Sequence, residues 1–352
     1  MKKHIIILIV IPILFCECRE NGLFSQSLNH KLDLISKLEY FSIGPFEFGD
    51  PDNPNLNHPY FYLIDSVSID TLTLLADYPN QFVKLYAFKA LQEKVNSSLF
   101  DIIKKHLSDS MSIKVKDDDY IFNTTVADIF IWIGEDYLLS SQRFSIRDSI
   151  LFKYNNIPYI KEILFNLKPE NKYYDVVKQL AKSNFGEEAF IALATYQKIE
   201  DISLIEKGFK CFNIYRGDIY KIVELFPSEN FLPFLFDIHS SKLNHSKNGS
   251  YNLAYYYKAL AKYHNKECFK ILEEMSQRKY YYSDEAWRSN LIQIYESLYK
   301  YPHEMYKPLQ AKLKQEIQSY DYEHKNNAVQ IMSAYDFERI DTMDYRDKTI
   351  WW

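Results

Sequence analysis

The chain has 352 residues, 47% hydrophobic and 25% charged, a globular composition long enough for one large domain or two to three ordinary ones. Its 42 basic and 47 acidic residues give a net charge of -5, which argues against nucleic acid as a partner. The 8 glycines are about 2% of the chain against a usual ~7%, a scarcity that argues against phosphate-cradling loops, dinucleotide folds and nucleophile elbows, all of which depend on glycine.

Lys2, Lys3 and His4 open the chain, and residues 5–15 are an apolar run interrupted only by Pro12. That run is too short to span a bilayer and matches the ~7 to 15 residues of a signal-peptide core, so residues 1–16 predict export. Cys16 follows directly, in the manner of the lipobox cysteine of bacterial lipoproteins that receives a diacylglycerol. Ile13 and Leu14 suit the positions before it, whereas Phe15 stands where a small residue is usual. Cys18, preceded by Glu17, is the second choice. The alternative is a short buried or membrane-associated apolar N-terminus. Cys211 and Cys268 are the only further cysteines, too few for a disulfide framework. They are either bridged or act as small buried hydrophobes.

Residues 17–64 read as a linker and loop-rich segment, with Pro45, Gly49, Pro51, Pro54 and Pro59 closely spaced. Asp50, Asp52, Asn53 and Asn55 superficially resemble a calcium loop, but Asn55 and Phe61 occupy the positions where an EF-hand needs Gly and Glu. Turn formation by Asx and Pro explains them sufficiently. From Leu72 onward the periodicity is helical. Val83, Ala87, Ala90 and Leu91 predict a helix with one apolar face that starts at Pro79 and Asn80 and ends near Val95, followed by a second helix capped by Ser97 or Ser98. Residues 112–121 form a charged excursion carrying a short hairpin, in which Asp117, Asp118 and Asp119 read as a solvated charge run rather than a cation site.

Further hairpins are expected at 189–209, with Asp201 as N-cap, at 257–275, with Glu267 opening the second helix, and at 291–313, with Pro302 at a helix start. A register joins them: ALATYQKIEDISLI (192–205) aligns with ALAKYHNKECFKIL (259–272) and with SLYKYPHEMYKPLQ (297–310). The last two are 38 positions apart, close to the ~40 to 47 of HEAT and armadillo units. The earlier spacings, 67 and 102, are not single periods and require degenerate intervening units, such as 157–180 and 218–240.

With NQFVKLYAFKAL (80–91) as its clearest helix, the chain resembles the HEAT-repeat lipoproteins of Bacteroidetes-type bacteria over about residues 65–320. The resemblance implies an all-α fold, an α-solenoid of irregular HEAT-like hairpins over 65–335 with a concave binding surface and no shared chemistry. An irregular all-α domain is the alternative. The tail 336–352 alternates charges and aromatics, and Trp351 and Trp352 are expected to pack back on the last helices.

No catalytic, cofactor or metal residues are expected. His264, Glu267 and Cys268 have a spacing that one helical face would bring together, but the register puts His264 in a turn and Cys268 in the core. The 16% aromatic content suits either a sugar- or protein-binding surface or, more simply, core filling in a chain of AT-rich origin. The sequence therefore predicts a non-enzymatic protein of the cell envelope that binds a protein or peptide, in a scaffold or immunity-like role, with membrane contact only through its N-terminus. An α/α-type carbohydrate- or peptidoglycan-active enzyme with an acidic pair is the runner-up. The oligomeric state is left open.

Overall fold

Ten consecutive residues, 82–91, are buried in one helix of the computed structural model, and that helix organises the N-terminal half of the protein. The structure describes residues 24–43, 59–94, 98–117, 120–183, 185–211, 219–240, 253–277 and 284–324. These fall into two compact units, Met1–Ile160 and Lys161–Trp352.

The first unit runs α1 (Gln26–Ser36), β1 (Phe41–Ser42), α2 (Pro59–Ser66), α3 (Ile69–Leu75), α4 (Gln81–Glu93), α5 (Leu99–His106), β2 (Ser112–Asp117), β3 (Tyr120–Thr125), α6 (Val126–Gly134) and α7 (Ser140–Lys153). Asn80 starts α4 as expected, its side chain accepting from the backbone N–H of Phe82 and Val83. The expectation of a single apolar face is corrected. Helices α1, α2, α3, α5 and α6 all pack against α4, so Lys84 and Lys89 are buried alongside Val83, Ala87, Ala90 and Leu91. Each lysine stays solvated by the protein instead: Lys84 Nζ is 2.7 Å from Asp109 Oδ2, and Lys89 Nζ donates to the carbonyls of Ser42 and Ile43 at 3.2 and 3.0 Å.

The described residues are mostly helical, in line with the all-α expectation, and include a small three-stranded sheet of order β1-β2-β3. β2 and β3 form the expected hairpin, antiparallel from Ser112↔Thr125 to Asp117↔Tyr120, and β1 pairs parallel with β2. The segment 17–64, read as loop-rich, holds α1 and β1; Ser25 caps α1, whose Leu28, Leu32 and Ile35 recur at helical spacing and are buried. β3 ends where α6 begins, at a capping box of Thr125 and Asp128. The Asp128 carboxylate is fully buried and accepts from Thr124 Oγ1, Thr125 N, Thr125 Oγ1 and Tyr159 N, which satisfies a charge that burial would otherwise penalise.

The second unit begins within α8 (Ile160–Phe165) and continues as α9 (Tyr174–Lys182), α10 (Glu187–Ala194), α11 (Ile202–Cys211), α12 (Ile219–Leu225), α13 (Leu232–Ile238), α14 (Ala254–Lys262), α15 (Lys266–Ser276), α16 (Asp284–Lys300) and α17 (Lys307–His324). Helices α10, α12, α14 and α16 pack in succession as a row, with α11, α15 and α17 against α10, α14 and α16 respectively. The row helices are buried on most sides, while α9, α11, α15 and α17 keep one exposed face.

Five turns share one design. Their N-cap residues are Glu170, Lys198, Ser228, Asn265 and His303, spaced 28, 30, 37 and 38 apart. Three residues after each cap stands a buried side chain: Tyr173, Asp201, Phe231, Cys268 or Tyr306. Immediately before each cap stands Pro169, Gln197, Pro227, His264 or Pro302. Gln197 and His264, at φ 51° and 52°, are in the left-handed region, so the turn is made either by proline or by a left-handed residue. The 67-residue interval between Ala192 and Ala259 therefore contains two turns, with Ile222 at the equivalent intermediate position. Three details differ from expectation. Asn265, not Glu267, caps α15; Pro302 precedes a cap instead of starting a helix; and Asp201 does not cap α11, since its buried carboxylate takes Tyr174 Oη at 2.8 Å and Lys178 Nζ at 2.7 Å.

Cys211 and Cys268 are free thiols, the first exposed and the second buried. No helix among the described residues is long and apolar enough to cross a membrane. Cys16 and Cys18, the proline-rich loop with Asp50, and the tail with Trp351 and Trp352 lie outside the described residues.

Candidate binding surface

The row α10, α12, α14 and α16 buries most of its side chains but leaves a narrow stripe partly open. Two register positions four residues apart, hence on one helical face, supply it. Seven residues before the caps stand Lys221 on α12, Lys258 on α14 and Glu296 on α16, all half-buried. Three residues before the caps stand Leu225, Lys262 and Lys300.

The lysines gather around two tyrosines. Lys221 Nζ and Lys258 Nζ lie 5.7 and 5.2 Å from the centre of the Tyr255 ring, and Lys262 Nζ and Lys300 Nζ lie 5.6 and 5.4 Å from that of Tyr301. Ammonium groups at such distances are attracted by the negative ring face. Lys221 is anchored further by the Phe165 ring at 3.4 Å and by donation to the Phe165 carbonyl.

Glu224 is the carboxylate buried among these cations. Its Oε1 accepts from Lys300 Nζ and from Tyr301 Oη, both at 2.7 Å, and its carbonyl accepts from Lys262 Nζ at 2.5 Å. Burial lowers the pKa of Lys262, Glu224 opposing that and the Lys300 charge adding to it. Burial, with Glu224, raises that of Tyr301. Lys258 and Lys262 make no ion pair among the described residues. Among the described residues Lys258 and Lys262 thus carry positive charge that no ion pair offsets, on a chain whose net charge is negative.

A groove of about 440 Å³ adjoins the last helix pair, lined by Tyr295, Tyr299, Pro302, Gln310, Ala311 and Lys314. Tyr295 and Tyr299 are stacked at 6.4 Å. Tyr295 falls eight residues before its cap, the position that Phe190, Tyr220 and Tyr257 fill in the earlier pairs. Tyr257 there donates to Asn290 of α16, the next helix of the row. Among the described residues that line the groove there is no carboxylate.

Other sequence-derived candidates separate in space or serve the core. Cys268 is buried in the core and His264 is exposed in the turn. Burial pushes the Cys268 thiol up to about 12, the opposite of what an activated thiolate requires. His264 stacks on His303 of the next turn, ring centres 5.0 Å apart, with Tyr306 beneath both. No group of three or more His, Cys, Asp or Glu among the described residues is arranged to hold a metal ion.

Two charged clusters escaped sequence reasoning. Lys89, pushed down to about 8 by burial, sits over Tyr60 and Phe41 and ties β1 to α4. His106 stacks on Phe130 at 4.5 Å, and its Nε2 is 3.0 Å from Asp77 Oδ1 and its Nδ1 3.8 Å from Asp109 Oδ2. Burial acts to lower the His106 pKa, but the hydrogen bonds to Asp109 and Asp77 outweigh it and raise the value. No local signal announces either cluster, because Lys89 meets β1 forty-seven residues away and His106 meets Asp77 twenty-nine away. Compared with family models, curated proteins and solved structures, the chain matches none.

Proposed function

We propose that the protein is a non-enzymatic, lipid-anchored component of the cell envelope whose helical repeats bind a protein or peptide partner, in a scaffold or immunity-like role. In this reading the five turns of the second unit punctuate an α-solenoid of irregular, HEAT-like pairs. Their spacings of 28 to 38 residues are shorter than the ~40 to 47 of HEAT units, and the pairs retain the same logic of burying each face against a neighbour. The observation that carries the reading is the row α10, α12, α14 and α16 with its aligned stripe of Lys221, Lys258, Lys262 and Lys300 between tyrosines. Side chains presented at two matching register positions from successive repeats form an extended ledge, the form of surface on which repeat proteins seat chains. Tyrosine suits such a ledge because it offers rigid contact area at small entropic cost.

The anchor rests on the N-terminal sequence, with Cys16 as the acylated residue and Cys18 as its alternative. Membrane fractionation of the wild type, Cys16→Ser and Cys18→Ser tests it; a protein soluble in every form overturns the anchor. The binding reading is tested by affinity capture from solubilised envelopes. The wild type is compared with a row variant, Tyr255→Ser with Lys258→Glu, and with a variant of the exposed face of α15, Lys270→Glu. Loss of the same captured protein from the row variant alone is the expected result. Identical recoveries from all three would overturn it.

A further inference from the structure

We infer that the partner is an acidic protein segment lying across α12, α14 and α16. This rests on the protein-binding reading above and names the chemistry of its occupant. Lys221, Lys258, Lys262 and Lys300 stand at stripe positions together with one half-buried acid, Glu296, and the carboxylate of buried Glu224 lies 2.7 Å from Lys300 Nζ. Lys300 and Tyr301 already occupy Glu224. Lys258 and Lys262 make no ion pair among the described residues, and their company is the Tyr255 and Tyr301 rings and the Glu224 carbonyl. A carboxylate arriving from outside completes these two cations with little reorganisation, since the rings and carbonyls already hold their stems in place.

The spacing specifies the form of the segment. Neighbouring packed helices stand about 8 to 10 Å apart, and the equivalent positions Lys221 and Lys258 lie on neighbouring helices of the row. A polyproline-II chain brings every third side chain to one face at intervals of about 9 Å. A segment with an acid at every third position therefore sets successive carboxylates against successive helices, its intervening residues meeting Tyr255 and Tyr301. The stripe positions hold lysine and no arginine, and lysine is a point charge without the fork that matches phosphate or sulfate. Together with a chain charge of -5, which repels long polyanions, this favours a carboxylate-bearing peptide over a sulfated glycan or a nucleic acid.

The test uses the full chain and a fluorescein-labelled peptide of six Glu-Pro-Ala repeats, followed by fluorescence anisotropy at low salt. A Gln-Pro-Ala peptide and a size-matched heparin oligosaccharide serve as the other probes. Binding of the Glu peptide, weakened by about three- to tenfold in Lys258→Glu, unchanged in Lys270→Glu on α15 and retained in Lys258→Arg, is the expected pattern. Circular dichroism of each variant separates lost binding from lost folding. The inference is overturned if the Glu peptide does not bind, if the Gln peptide binds equally, if heparin alone binds, or if Lys270→Glu weakens binding as much as Lys258→Glu. Should the acidic peptide fail while envelope capture still depends on Tyr255, the acidic assignment falls and the protein-binding reading stands. Should capture fail as well, both fall.

Discussion

His106 shows how one side chain can hold four charges together. It stands between Asp77 and Asp109, which in turn meet Lys105 and Lys84. Although burial works against the ionised form of Asp109, His106 and Lys84 hold its carboxyl down at about 2. Because the His106 pKa is raised on folding, its contribution is complete below the ordinary value of 6.5 and fades as pH rises through the higher folded value. The Asp109 contribution is present above the ordinary 3.8 and is lost as pH falls through about 2. We expect the melting temperature of the wild type to exceed that of His106→Gln most at pH 5 to 6, with the gap narrowing toward pH 8; a gap independent of pH refutes the linkage. Gly208 makes the complementary point about shape. A Cβ there would stand 2.7 Å from the Phe190 ring, an overpacking cost of about 1 to 3 kcal/mol. The ~1 kcal/mol of helix propensity that alanine brings offsets part of it, so Gly208→Ala should destabilise by up to about 2 kcal/mol in denaturant titration.

At the scale of elements, two turns of the second unit are fastened to the turn before them by phenols. Tyr196 Oη donates to the carbonyl of Glu170, and Tyr263 Oη to that of Ser228; in both cases the acceptor is the cap residue one turn earlier. Removing the hydroxyl in Tyr263→Phe should cost about 1 kcal/mol, because it strips one bond and leaves a carbonyl less well satisfied. Phe226 holds the equivalent place without a hydroxyl, so Phe226→Tyr should gain up to about 1 kcal/mol by reaching the Lys198 carbonyl. Equal stabilities by thermal melting for either pair would show that the turns are not equivalent. Much of this was legible in advance. The alignment of Ala192, Ala259 and Ser297 is the true register, all three lying six residues before a cap. The turn at Phe226, Pro227 and Ser228 lies within 218–240, the stretch expected as a degenerate unit, and unequal pair lengths hide it from a fixed period. The stripe itself was not legible, since lysines 37 residues apart acquire a common face only once the intervening helices are folded.

For the whole molecule, the division at Ile160 and Lys161 predicts that damage stays on its own side. Ala90 is fully buried in α4, and Ala90→Leu inserts a larger side chain into a filled core at a cost of about 1 to 3 kcal/mol. Amide exchange should quicken in the first unit while residues 259–313 keep their protection; uniform loss along the chain would mean one cooperative core. The sequence anticipated helices through both units but offered no sign of the division, because periodicity reports which face is apolar and not which partner covers it. The sheet was half anticipated: the hairpin is local and carries its own signal, whereas β1 joins β2 across more than seventy residues.

The phenol links between turns also bear on how the second unit responds to force. Each hydroxyl ties a turn to the one before it, so load applied at the ends reaches these links one after another. If the pairs couple only to their neighbours, an optical-trap extension trace should rise and fall in steps, each freeing one pair. With 28 to 38 residues per pair and about 3.3 to 3.6 Å of reach per residue, each step should lengthen the tether by about 90 to 140 Å. Tyr263→Phe should lower the force of a single step and leave the others unchanged. Pulled from its ends, the second unit would then yield in stages, releasing contour length one pair at a time while the remaining pairs stay folded.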